Sequence, residues 1–339
     1  MKLRLTTAIF GACLLPAQQT PVFRTESSLV LVRFHVVQKN RYNTSLKPED
    51  VVLLEDGAPR KFTVFENAMA ANRTVPVEMT LLFDTSGSVM DEGLLNPLAF
   101  KETLLDNLEG VRIAVYGFGT EMKRYCGPSR DYAQLQAAFA ALGTHGGKGE
   151  RIELHLPTKR QAQPGGGTWL YEAVAAVSSE AAATPGDTTR MVLVFSDGFP
   201  TTNSRPEDAA GLDRELGIPV YPVVLGHQKL MQRMGEVQAK QAPSGPSSRS
   251  LSYLTAKQNE IADFASLGEL TGGRSFDPPE INLSVMRSIV GTMVALIRTE
   301  YVVGFVPETS DAPRKHKLEI RLGEKNAGKV MGGTRTVVH

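Results

Sequence analysis

One short turn of this chain crowds a carboxylate and two hydroxyls into five residues: Asp84, Ser86 and Ser88, within Asp84-Thr-Ser-Gly-Ser88. All three are oxygen donors, and an oxygen-only set suits a hard divalent cation such as Mg2+. The turn ends an apolar run, Val77 to Phe83, that reads as a buried strand. Leu94, Leu95, Leu98, Leu104, Leu105 and Leu108 then follow at helical spacing, which predicts a helix to about Leu108. Strand, polar turn and helix in that order mark the place where open parallel sheets bind ligands, at the carboxyl ends of their strands.

The D-x-S-x-S spacing of Asp84, Ser86 and Ser88 resembles the first loop of the metal-ion-dependent adhesion site of von Willebrand factor A domains. That resemblance implies two more loops downstream, and stretches similar to both are present in family order. Gly165-Gly-Gly-Thr-Trp-Leu-Tyr171 resembles the second, with Thr168 as its metal-facing hydroxyl, and Val192-Leu-Val-Phe-Ser-Asp-Gly198 resembles the third, with Asp197. The implied metal set is Asp84, Ser86, Ser88, Thr168 and Asp197, holding Mg2+ or alternatively Mn2+ or Ca2+. In that family the hydroxyls touch the ion while the aspartates act largely through ordered waters. An open coordination position is left for an Asp or Glu of a protein partner. The expected function is an exported, metal-dependent protein-binding or adhesion module. The alternative is a structural scaffold that binds partners through its β-rich segments, the metal only stabilising the fold.

Simpler readings of the same residues exist. Ser86 and Ser88 could cap the helix beginning near Gly87, and Gly165-Gly-Gly167 could be a flexible turn. A phosphate cradle is disfavoured because no Gly-Lys-[Ser/Thr] follows those glycines. Enzyme readings fare worse. Asp-Thr-Ser-Gly occurs once, where an aspartic protease needs two carboxylates on β-rich lobes, and no G-x-S-x-G surrounds Ser86. His35, His145, His155, His227, His316 and His339 lack metal-ligand spacing and read as surface or structural residues, and Cys126 has no evident His to activate it. The expectation is therefore no catalysis.

The elements that must position the site follow from periodicity. Val111–Phe118, Thr189–Phe195 and Ile218–Leu225 read as strands. Asp131–Leu142, Thr168 to about Ala183, and a stretch carrying Met286, Ile289, Val290, Met293 and Ile297 read as helices, with short strands at Arg151–Leu156 and Gly273–Phe276. This alternation predicts a doubly wound, mostly parallel α/β sheet of Rossmann-like type over residues 76–299. Flanking it, Ser28–Val37, a hairpin around Asp56-Gly57, Tyr301–Val306, Lys317–Leu322 and Arg335–Val338 read as strands. Segments 18–75 and 300–339 are thus expected to form one small β-sandwich into which the α/β domain is inserted. The layout resembles the acidobacterial VWFA-related family in Leu29-Val-Leu-Val32, in Leu46 to Gly57 and in Tyr301 to Pro307. Residues 143–164 and 226–259 exceed what a minimal sheet needs, and both should lie on the site's face.

Charge and termini bound the partners. A formal charge of +1 with interspersed signs argues against nucleic acid. No apolar run is long enough to span a bilayer. Residues 1–17, with Lys2 and Arg4 before an apolar stretch, read as a signal peptide directing export to the periplasm or the exterior, and lipid anchoring at Cys13 is a minor alternative.

Overall fold

The computed structural model describes residues 29–39, 41–67, 76–95, 103, 110–144, 147–154, 167–183, 188–239, 248–307, 314–323 and 328–339. The segment read as a signal peptide, with Cys13, lies outside them. So do most of the leucines read as a helix to Leu108, together with Gly165 and Gly166 of the second loop.

A six-stranded sheet forms the centre, in the order β11 (Val220–Val224), β10 (Thr189–Ser196), β6 (Val77–Asp84), β7 (Val111–Phe118), β8 (Met122–Ser129) and β9 (Glu150–Ile152). The first four are mutually parallel and the last two run antiparallel. Side chains along a strand alternate between faces, so β6 sends Met79, Leu81 and Phe83 into one core and Leu82 into the other. The first core is closed by α2 (Tyr132–Leu142), through Leu135 and Phe139, and by α7 (Leu283–Thr299), through Met286 and Met293. The second is closed by α3 (Leu170–Ala183), α4 (Pro206–Leu216) and α6 (Ser248–Thr271). Each fully buried large apolar side chain stabilises the fold by about 1.5–3 kcal/mol. The expected doubly wound sheet is the observed one.

The flanking segments form two antiparallel sheets packed face to face. One runs β14 (Lys329–Gly332), β1 (Val30–Gln38), β12 (Tyr301–Phe305), β5 (Val64–Asn67), with β2 (Arg41–Tyr42) also on β1. The other runs β15 (Thr334–Val338), β13 (Lys315–Leu322), β3 (Val51–Glu55), β4 (Ala58–Arg60). Phe34, Leu53, Tyr301, Val303, Leu318 and Ile320 fill the space between them, with Phe34 stacked on Tyr301 at 5.3 Å. The β3–β4 turn places both Asp56 (φ 49°) and Gly57 (φ 86°) in the left-handed region that two-residue hairpins require.

Several local expectations change. Only Ala58–Arg60 pairs back onto β3; Val64–Asn67 crosses to the other sheet as β5, because Tyr301–Gly304 offers it an edge there. After Asp84 the helix α1 (Gly87–Met90) is a single turn, and Leu94 and Leu95 follow it without helical structure. The strand read at Arg151–Leu156 is the three-residue β9, and the one at Gly273–Phe276 reduces to a bridge between Phe276 and Val223. The described residues within 226–259 hold α5 (His227–Ala239) and the start of α6. α6 folds because it buries Leu254, Ile261, Phe264 and Leu267 while Asp263 and Glu269 stay exposed.

Candidate metal centre

The register of two parallel strands builds the site. Phe83 of β6 lies beside Phe195 of β10, so the next residues, Asp84 and Ser196, emerge side by side at the carboxyl edge. Ser196 Oγ donates to Asp84 Oδ2 at 2.6 Å, and the Ser86 amide donates to Asp84 Oδ1 at 2.9 Å. Asp84 is fully buried. Ser86 occupies the N-cap position of α1 without a side-chain cap; its hydroxyl lies 3.1 Å from that of Ser88. The capping reading of Ser86 therefore does not describe this turn. Ser88 in turn hydrogen-bonds the carboxylate of Asp197, which also accepts from the Phe199 amide at 3.2 Å. Four of the five expected residues thus form one continuous chain of contacts.

Thr168, from the next loop, shares a cleft with Ser86. It is buried and lines, with Ser86 and Thr85, a cleft of about 330 Å³ that Tyr125, Leu142 and Thr144 also line. Thr201 fixes its position, since Thr201 Oγ1 accepts from the Thr168 amide at 2.7 Å and the Thr201 amide donates to the Thr168 carbonyl at 3.0 Å. Gly167 is required beside it: a Cβ there would sit 1.7 Å from Thr201 Oγ1. Gly198, after Asp197, has a φ of +79° with its Cα facing Phe264 of α6.

Two buried carboxylates at one strand edge repel each other. Burial, then the charge of Asp197, push the Asp84 pKa up to about 6, with the Ser196 and Ser86 hydrogen bonds pulling back. Asp197 is also raised, chiefly by burial, against donation from Ser88 and the Phe199 amide and the charge of Lys257. A divalent cation would offset the charge of both carboxylates, and the oxygen-only donors fit one. Ser196, Thr201 and Lys257 are not among the expected site residues. Ser196 adjoins Asp197 in the sequence, but its role needs the β6–β10 register. Thr201 carries no local signal. Lys257 comes from the 226–259 stretch, its ammonium 3.7 Å above the Phe199 ring.

The doubly wound sheet with an oxygen-lined carboxyl edge defines a Rossmann-like binding domain. The family model of the von Willebrand factor type A domain matches residues 78–264, more than half of the chain, and the chain belongs to that family. Domains of this family are usually non-catalytic binding modules that take protein ligands. Among curated proteins none matches the chain. Solved structures similar to it include BatB from Bacteroides thetaiotaomicron, at 14% identity and a TM-score of 0.41, covering 66% of this chain and all of that one. Proximal thread matrix protein 1 of the mussel byssus, with a zinc-occupied MIDAS motif, gives 12% and 0.38 over 66% of this chain and 48% of that one. Manganese-loaded TRAP from Plasmodium vivax gives 12% and 0.37 over 84% of this chain and 97% of that one. Zinc and manganese are properties of those proteins. Among the described residues, no helix is long and apolar enough to cross a membrane.

Proposed function

We propose that this chain is an exported, metal-dependent protein-binding module of adhesion type. Asp84, Ser86, Ser88, Thr168 and Asp197 hold one divalent cation, Mg2+ or alternatively Mn2+ or Ca2+, and the cation's open position takes a carboxylate from an Asp or Glu of a protein partner. The observation that carries this reading is the hydrogen-bonded run from Ser196 through Asp84, Ser86 and Ser88 to Asp197, with both aspartates buried and their pKa values raised. When bound, the ion supplies an electrophilic centre for the partner's carboxylate. The chain's own residues position it: Thr201 fixes Thr168, and Ser196 orients Asp84. Residues 76–299 form the binding domain, inserted between 18–75 and 300–339, and residues 1–17 direct export.

Calorimetric titration of Mg2+ and Mn2+ into the wild type and Asp84→Ala tests the site. Saturable binding in the wild type and its loss in the variant are expected. A pull-down from surface extracts with Mg2+, against one with a chelator, tests the function. Capture that persists in chelator and in Asp84→Ala would overturn the metal-dependent reading in favour of a scaffold whose ion only stabilises the fold.

A further inference from the structure

The β-sandwich brings together three metal-ligating groups that the sequence keeps far apart. Glu55 ends β3, His316 lies near the start of β13, and His339 follows β15, so neighbouring strands of one sheet deliver all three. Glu55 Oε1 is 2.9 Å from His339 Nε2 and 3.4 Å from His316 Nδ1, and the donor atoms of the three residues all lie within 4.8 Å of one another. A tetrahedral ion with bonds of about 2.0–2.1 Å sets neighbouring donors roughly 3.3 Å apart. Asp56 Oδ2 hydrogen-bonds the same His316 nitrogen at 2.9 Å and offers a further oxygen.

Hydrogen bonding accounts for His316, whose Nδ1 pairs with Asp56 Oδ2, but not for His339. His339 Nε2 is buried and has no hydrogen-bond partner among the described residues, although a carboxylate oxygen lies 2.9 Å away. The two groups are close without pointing at each other, as donors do when they share a third centre. The surroundings also hold the ligands. Arg60 Nε pairs with Glu55 Oε2 at 3.6 Å, leaving Oε1 to face the imidazoles, and Arg60 packs on Phe305, whose ring meets His339 edge-on.

We propose that Glu55, His316 and His339 form a second metal site, nitrogen-rich and of the Zn2+ class, separate from the oxygen-only site at the far carboxyl edge. Two imidazoles with a carboxylate select Zn2+, Cu2+ or Ni2+ over Mg2+ or Ca2+. The two rings stack at 4.3 Å and 12°, so uptake requires one to turn about its Cβ–Cγ bond until both lone pairs meet. Backbone hydrogen bonds between His339 and Arg314 hold the main chain in place, so the turn is one of the side chain alone. Arg314 Nε donates to His316 Nε2 at 3.3 Å, which leaves the proton on Nδ1; on coordination through Nδ1 that proton passes to Nε2 and Arg314 swings away. The ion joins the strand before the inserted domain to the strands after it, spanning a separation of about 260 residues, as between Asp56 and His316. A cross-link across so long a loop removes more chain entropy than one across a short loop.

The test is Zn2+ titration of the metal-stripped full chain in millimolar Mg2+, which occupies the oxygen-only site. One equivalent of Zn2+ is expected to bind wild type and Asp84→Ala alike. His316→Gln and His339→Gln should each weaken that binding by at least about a hundredfold, since changes even outside the ligand shell cost 10–100-fold. His339→Gln, at a partly exposed position beyond the last strand, remains informative if His316→Gln does not fold. Co2+ should give intense visible absorption that both histidine variants lose, and Zn2+ should raise the melting temperature of the wild type but not of His339→Gln. No Zn2+ uptake in Mg2+, or uptake unchanged by His339→Gln, would overturn the second site while leaving the oxygen-only site untouched. Loss of Zn2+ in Asp84→Ala alone would overturn it as well, by assigning that ion to the oxygen-only site.

Discussion

Ser196 shows how much one hydroxyl at the strand edge governs. Its donation to Asp84 offsets part of the cost of burying that carboxylate. Ser196→Ala leaves a buried acceptor short of a partner, which costs about 1–3 kcal/mol. Chemical denaturation of the metal-free protein should show that loss, and Mn2+ titration should show affinity lower by about 10–100-fold, the usual effect of removing a residue that orients a ligand. An unchanged affinity would mean that Asp84 is positioned by the Ser86 amide alone. Gly167→Ala probes the neighbouring loop. Its new methyl would meet Thr201 at van der Waals-forbidden distance, so Thr201 or the Thr168 backbone must shift, destabilising the protein by about 1–3 kcal/mol. Thermal unfolding checks it, and the metal titration should weaken in parallel because Thr168 moves with the loop.

At the scale of elements, the packing of α4 on α3 contains a buried acid with no role at the site. Asp213 of α4 is fully buried, and neither carboxylate oxygen has a hydrogen-bond partner among the described residues. Ser178 of α3 is near enough to lower its pKa in part, but not in hydrogen-bonding geometry. Burial pushes that pKa up to about 7, from an ordinary value of 3.8. Between those values the folded chain holds a proton that the unfolded chain has released. The Asp213 contribution to stability is therefore most favourable at low pH and is lost as pH rises through about 7. Asp213→Asn removes the titration. It should match the wild type near pH 4 and exceed its stability at pH 8 by a few kcal/mol, because each tenfold change in proton affinity is worth about 1.4 kcal/mol. Urea denaturation across pH 4–8 measures the difference; parallel curves for the two proteins would show that Asp213 titrates normally.

Across the whole molecule, the sandwich is fastened to the inserted domain by polar contacts at the amino-terminal edge of the central sheet. Arg33 of β1 donates to Thr189 of β10 and pairs with Glu300 at 3.3 Å, with both acceptors buried. His35 Nε2 contacts the Leu296 carbonyl of α7 at 2.8 Å. Gly272 approaches Gly332 so closely that a Cβ on the former would lie 2.8 Å from the latter's Cα. Removing one partner of a buried pair costs about 3–5 kcal/mol, so Arg33→Ala should lower overall stability by a similar amount. Calorimetric unfolding should then separate into two transitions, one for each domain. A single transition at an unchanged temperature would mean that the two domains are coupled elsewhere.

Short-range pattern was legible in the chain before any folding: the alternation of strands and helices, the sandwich strands at both ends, and a first loop whose three donors lie within five residues, with the other two loops implied by family resemblance. A strand's period of two and a helix's period of 3.6 are local properties, and the hydroxyls of Ser86 and Ser88 lie beside Asp84 in the chain itself. Polar segments carry a weaker pattern, and α4, α5 and α6 are obscured because polar residues outnumber the large apolar ones in each. Meetings between residues far apart in sequence were settled by packing alone. The β6–β10 register set Ser196 on Asp84, strand pairing in the sandwich drew Glu55, His316 and His339 together, and burial under neighbouring elements raised the pKa of Asp213. No local spacing records such meetings, because the free energy that fixes them comes from packing two cores and a sandwich at once.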